Sequence, residues 1–223
     1  MSLKNYKIKI AYDGTDLLGW QIQKRGRTVQ GEIEAALKKI FKQDIALIGA
    51  GRTDSGVHGL RQVGNFKVTS NMNSDTLKDA LNGNLNRDIY ISKCKEVDID
   101  FHSRFSATMR EYQYKIQTSY IPTCRNFVWT LDPSILDINT LHKCAKLILG
   151  EHDFTQLSKK NDDLDNKICH VFDSSWTIND YSFDYTIRAN RFLHHMVRYL
   201  VGVMIEVSKN HVLSLSEFKS MIN

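Results

Sequence analysis

The sequence is poor in the features that mark metal, redox and membrane proteins. Its four cysteines (Cys94, Cys124, Cys144, Cys169) are widely spaced. They form no Cys-x-x-Cys pair, so neither a zinc cluster nor a redox motif is indicated. No secretory leader stands ahead of them. They therefore read as free thiols of a reducing compartment, and a cytoplasmic location is expected. No apolar run approaches the length needed to span a membrane, so no membrane partner is expected. The phosphate-cradling pattern Gly-x-x-x-x-Gly-Lys-Ser/Thr is absent. His194 and His195 are adjacent. Read as part of one helix they diverge, and no acidic or cysteine partner stands at ligand spacing, so no metal is expected. No cofactor is expected either.

What is present is an ordinary globular composition. The chain has 223 residues, 42% hydrophobic and 25% charged, enough for one large domain or two small ones. Net charge is +5 and the pI about 8.9. That mild basicity permits a nucleic-acid partner without requiring one.

The chain is organised around one loop, Gly49-Ala50-Gly51-Arg52-Thr53-Asp54-Ser55-Gly56-Val57-His58-Gly59. Its glycines allow positive φ and sharp turns. An apolar run, Ile45 to Ile48, leads in, and an alternating run, Gln62 to Val68, leads out, so the loop is expected between two strands. A Gly-flanked aspartate most often only closes a turn. Arg52, two residues away, can hold Asp54 ionised, as a nucleophile or general base requires.

Tyr6 to Tyr12 alternates and predicts a strand, ended by Asp13-Gly14-Thr15. The basic cluster Lys24, Arg25 and Arg27 follows Trp20. It reads either as a solvated loop or, beside an exposed aromatic, as a phosphate contact. Thr28 caps a helix from Val29 with Ile33, Leu37, Ile40 and Phe41 on one face. A second helix is expected from a Ser74 cap, broken at Asn82-Gly83-Asn84, and then a strand from Ile89 to Val97. Arg110 to Ile116 predicts a strand with Tyr112 and Tyr114 on one face and Glu111, Gln113 and Lys115 on the other. Ser119 to Thr130 is expected to be irregular. Asp137 caps a helix to about Leu149, ended by Gly150. The polar run Lys159 to Asp165 is expected as an exposed loop. A hairpin is expected over Val171 to Ala189, turning at Asn179-Asp180. A helix is expected from Phe192 to about Val207, with His194 and Arg198 sharing a face.

Gly51-Arg52-Thr53-Asp54-Ser55-Gly56-Val57-His58 resembles the signature of the tRNA pseudouridine synthase A family. So do Asp13-Gly14-Thr15, Gly19-Trp20-Gln21, Phe101 to Thr108, Arg110-x-Tyr112-x-Tyr114, Gly150 to Thr155 and Phe192 to Arg198. The resemblance implies an α/β (α+β) fold with a mixed sheet, built from two similar α/β halves flanking an active-site cleft. The halves are expected at residues 1–105 and 106–223. It implies isomerisation of uridine to pseudouridine in the tRNA anticodon stem-loop, at positions 38, 39 or 40. It also implies a homodimer. Asp54 is implied as the catalytic residue, Arg198 as the group that pairs with it, and Tyr112 as a contact to the target base. Arg52 is expected to help hold Asp54 charged. Arg110, Lys24, Arg25, Arg27 and His58 are expected among the substrate-binding residues. Asp54 is left as either nucleophile or base.

The tail departs from the pattern. Ser214-Leu215-Ser216-Glu217 is a capping box, and Leu213 with Phe218 makes a hydrophobic staple, so a helix starts there. The loop and strand that usually follow in the family are missing, so the chain is either truncated or a shortened, diverged member. Two other readings remain: a tRNA-binding protein that has lost catalysis, and an unrelated small-molecule enzyme using Asp54 and Arg52.

Overall fold

The computed structural model describes residues 2–160, 166–209 and 213–222. The polar run expected as a loop lies outside them from Asn161 to Asp165, as do Met1 and Asn223. The chain divides into two compact units, Met1–Ala107 and Thr108–Asn223.

In the first unit, β1 (Ser2–Tyr12) buries Tyr6, Ile8, Ile10 and Tyr12, the even positions of an alternating strand. Helix α1 (Val29–Phe41) begins where expected. The Thr28 hydroxyl accepts the Gly31 N–H at 3.2 Å, a cap that contributes on the order of 1 kcal/mol. The apolar run before the motif loop is a strand only at β2 (Ile48–Gly49). The backbone of Leu47 is taken by helix side chains instead: its N–H donates to Glu34 and its carbonyl accepts from Gln30. β3 (Gly59–Ser70) leads out of the loop.

Helix α2 (Ser74–Asn84) is capped by Asn73 rather than Ser74, and it runs through Asn82-Gly83-Asn84. Those residues were expected to break it. The Asn82 amide instead bonds both backbone groups of Ile91 on β4 (Ile89–Val97), so tertiary contact holds the last turn. The sheet order is β2-β3-β1-β4, all antiparallel. The face that carries the even positions of β1 packs Tyr6, Ile8, Phe66 and Ile91 against Ile33, Leu37, Leu77 and Leu81 of the helices. The opposite face carries buried Asn5 and Asn65, whose amides bond one another and the backbone of Asp98, Phe101 and Ser103.

In the second unit, β5 (Arg110–Gln117) alternates as expected, with Tyr112 and Tyr114 half-buried and Glu111, Gln113 and Lys115 exposed. The irregular stretch after it holds one short strand, β6 (Trp129–Thr130), parallel to β5. Two residues are too few to show alternation. Helix α3 (Ile138–Leu147) is capped by Asp137 and buries Leu141, Cys144 and Ala145. Gly150, at φ 98°, opens β7 (Gly150–Asp153) rather than closing the helix. The hairpin β8 (Ile168–Asn179) and β9 (Ser182–Ala189) turns at Asp180-Tyr181, one residue later than expected. The sheet order is β6-β5-β9-β8-β7, mixed because only the β5–β6 pair is parallel.

Helix α4 (Met196–Ser208) starts four residues after Phe192. His195 sits in the left-handed region, at φ 63°, so the helix cannot extend back through it. His194 therefore does not share a helix face with Arg198. The argument that the two histidines diverge along a helix also fails: their ring centroids are 4.1 Å apart in the segment before it. Helix α5 (Leu215–Ser220) has the expected capping box, and Phe218 is fully buried beside half-buried Leu213. The α/β fold with a mixed sheet agrees with the sequence reading.

Candidate active site in the Gly49–Gly59 loop

The motif loop is held by the segment that follows β1. The Trp20 N–H donates to the Thr53 carbonyl at 3.0 Å. The Tyr12 hydroxyl and Thr53 Oγ1 are 2.9 Å apart. On the other side of Asp54, the Gly56 N–H and the Ser55 hydroxyl both donate to the Leu17 carbonyl, each at 3.3 Å. The aspartate is half-buried, and the residues before and after it are tied to one segment. A carboxylate so held is aimed by backbone bonds rather than by chance rotamers.

Glycine makes this docking possible mainly by close approach. A Cβ on Gly14 would lie 2.2 Å from the Val57 carbonyl oxygen, and one on Gly59 would lie 2.4 Å from the Tyr12 ring. A Cβ on Gly49 would strike the Trp20 indole at 2.5 Å. Of the motif's glycines only Gly56 has positive φ, at 79°. The sharp-turn expectation therefore holds at that one position, and backbone packing explains the pair at the loop's two ends.

The other expected site residues fall into two groups. Lys24, Arg25 and Arg52 are exposed.

Arg27 and His58 are bonded within the unit. Arg27 is paired with Asp88 and Glu32, and those two carboxylates push its pKa up. The His58 Nδ1 accepts the Gly14 N–H at 3.1 Å and lies beside Asp13. It is one more tie between the two loops. Trp20, expected as an exposed aromatic near the basic cluster, is buried under the motif loop.

In the second unit, Arg110 donates to the Asn190 carbonyl at 2.7 Å. The Tyr112 ring meets Phe192 edge-on, with centroids 4.9 Å apart. Tyr114 packs edge-on against Trp129. Burial raises the Tyr114 pKa, and the positive charge of Arg198, an exposed residue, opposes that rise. On the opposite face of β5, Glu111 pairs with Arg188, which also reaches Asp173.

Sequence reasoning missed Tyr12, Leu17 and Trp20 as parts of the site. A strand-end tyrosine looks like core until the partner loop is known, and Trp20 was expected to be exposed rather than packed under the motif loop.

Among the described residues no helix is long and apolar enough to cross a membrane. The geometry is that of an α/β protein presenting one anchored carboxylate on a glycine-shaped loop, with cationic and aromatic residues as further candidates. A family model described as tRNA pseudouridine synthase matches residues 8–106 and 144–223. The tRNA pseudouridine synthase A of Chlorobium limicola is 43% identical over 209 residues, covering 93% of this chain and 85% of that protein. That of Brachyspira hyodysenteriae is 39% identical, covering 93% of this chain and 84% of the relative. That of Bacteroides thetaiotaomicron is 37% identical, covering 99% and 82%. The chain belongs to the tRNA pseudouridine synthase family.

Proposed function

We propose that this protein isomerises uridine to pseudouridine in tRNA, with Asp54 as the catalytic carboxylate. The observation that carries this reading is the anchoring of Thr53 and Ser55 on either side of Asp54, in a family-matched loop. The reaction is an isomerisation. The bond from the sugar to N1 of uracil breaks, the base turns, and a bond from the sugar to C5 forms. The C5 proton leaves to solvent and N1 regains one, so no atoms are lost overall.

The target base must leave its stack first. Tyr112, half-buried with its edge fixed by Phe192, is suited to stack on an extruded uracil. Exposed Lys24 and Arg25 are suited to phosphates. Asp54 acts on the sugar as nucleophile or base. Arg198 takes the role that the resemblance gives it, the positive charge that keeps Asp54 ionised. Arg27, His58 and Arg110 serve by holding the loops that carry these groups. The two units are read as the two α/β halves of the family fold. The anticodon stem-loop, at positions 38, 39 or 40, is the proposed target. A homodimer in the cytoplasm is the proposed setting, as in the resemblance.

The test is tritium release from tRNA carrying uridine labelled at C5, comparing wild type with Asp54→Asn. Release by wild type alone is expected. Equal release by Asp54→Asn would remove Asp54 from the chemistry. Tight tRNA binding with no release from either protein would point to a binding protein without catalysis.

A further inference from the structure

We infer that Tyr12 is a positioning residue for Asp54, acting through the hydroxyl of Thr53; this rests on the reading of Asp54 as the catalytic carboxylate. Tyr12 ends β1 and is 5% exposed. A phenol buried there packs well without its hydroxyl, so the placement of the hydroxyl has to be explained separately. Two features place it. The strand pairing slips next to it: Ile10 faces Gln62 on β3, but Tyr12 faces Gly59. Such an irregularity re-aims the side chains beside it. Gly59 then leaves room for the ring, since any Cβ there would lie 2.4 Å from the Tyr12 Cε1. The ring lies against one end of the motif loop while its oxygen reaches Thr53 Oγ1, at 2.9 Å, six residues earlier.

Thr53 is thereby held twice, by its hydroxyl and by its carbonyl, which accepts from the Trp20 N–H. With its side chain and carbonyl both fixed, the peptide that enters Asp54 has little freedom to rotate. The carboxylate direction is set by that peptide and by the tie of Ser55 to Leu17 on the other side. Placement of a reacting group to within a fraction of an ångström is worth large factors in rate. The Tyr12 hydroxyl acts through Thr53, and its effect belongs in the chemical step rather than in tRNA binding.

The test uses Tyr12→Phe, which keeps the ring under Gly59 and removes only the oxygen. We expect kcat for tritium release to fall about tenfold with KM for tRNA unchanged, a displacement effect of modest size. Thr53→Val should fall by as much, and Thr53→Ser, which keeps a hydroxyl, should recover most of the rate. The Tyr12→Phe, Thr53→Val double variant should fall no further than either alone, because both remove one interaction. A purely structural contact would lower the melting temperature, leave kcat of the folded protein unchanged and give no rescue by serine. Unchanged kcat in Tyr12→Phe overturns the inference. If wild type itself releases no tritium, the functional reading fails instead. The same variants are then read by the carbon-13 resonance of the Asp54 carboxylate, which is expected to move in Tyr12→Phe. An unmoved resonance overturns the inference in that case.

Discussion

Arg27 grips Asp88 through two parallel hydrogen bonds, Nη1 to Oδ2 at 2.7 Å and Nη2 to Oδ1 at 3.0 Å. The same guanidinium reaches Glu32 in the first turn of α1, at 3.2 Å. The Asp88 carbonyl in turn accepts the Asp13 N–H. One arginine therefore ties the basic loop, the helix start and the turn before β4 together.

It follows that the basic cluster divides by role. Arg27→Ala should destabilise the protein by about 1–2 kcal/mol, since a charged fork loses partly buried partners. It should leave the salt dependence of tRNA binding nearly unchanged. Lys24→Ala and Arg25→Ala should leave stability alone, and each should weaken binding and reduce the salt slope by about one. Filter binding across a salt series separates the two outcomes. A reduced slope in Arg27→Ala would return it to the phosphate contacts.

Glycine substitutions should sort by what a Cβ meets. Gly14→Ala drives a methyl into the Val57 backbone, and Gly19→Ala combines φ 86° with a Cβ 2.4 Å from the Thr53 carbonyl. Both should unfold the motif loop, at a loss of several kcal/mol, roughly the large end of single-residue effects. Gly83→Ala sits inside α2 with open space around it and should stabilise by about 0.5–1 kcal/mol. Urea melts read all three. A destabilised Gly83→Ala would contradict the helix continuing through that residue.

Thiol labelling of the native protein should find one accessible cysteine. Cys124 is half-exposed, whereas Cys94, Cys144 and Cys169 are buried. Burial pushes the thiols of Cys94 and Cys144 up to about 11 and raises that of Cys169, so their reactive thiolates are scarce at pH 8. One fast equivalent with a thiol reagent is expected, and four after denaturation. Several fast equivalents in the native state would show the cores opening.

Acid should loosen the second unit through its helix cap. The Asp137 carboxylate accepts the Thr140 hydroxyl at 2.6 Å and the Asn139 N–H at 2.9 Å, which holds its pKa below the usual 3.8. A lowered folded pKa stabilises above the unfolded value, and the contribution is lost as pH falls through the folded value. Stability should therefore drop below about pH 4. Asp137→Asn, a capping residue without a charge to titrate, should flatten that drop. Denaturant melts from pH 7 to pH 2 test this, and an equally steep profile in the variant would count against it.

Much of this protein was legible in local patterns. The caps at Thr28 and Asp137, the capping box at Ser214 and the alternation of β5 all follow from side-chain chemistry within a few residues, and each appears in the structure. The Asp54 loop was legible because its residue types stand together in one string. The start of α4 was not: the apolar spacing runs back to Phe192, but the left-handed backbone at His195 is a state that spacing does not encode. Nor were the continuation of α2 through Gly83 and the short β2, because each is decided by side chains of another element bonding that backbone. The sequence by itself determined which carboxylate stands in the motif and where the longer helices and strands lie, since both depend on neighbours in the chain. Only the tertiary structure decided what aims that carboxylate. Tyr12, Leu17 and Trp20 meet Thr53 and Ser55 across more than thirty residues of intervening chain, and hydrogen bonds of that reach leave no periodic trace in the sequence.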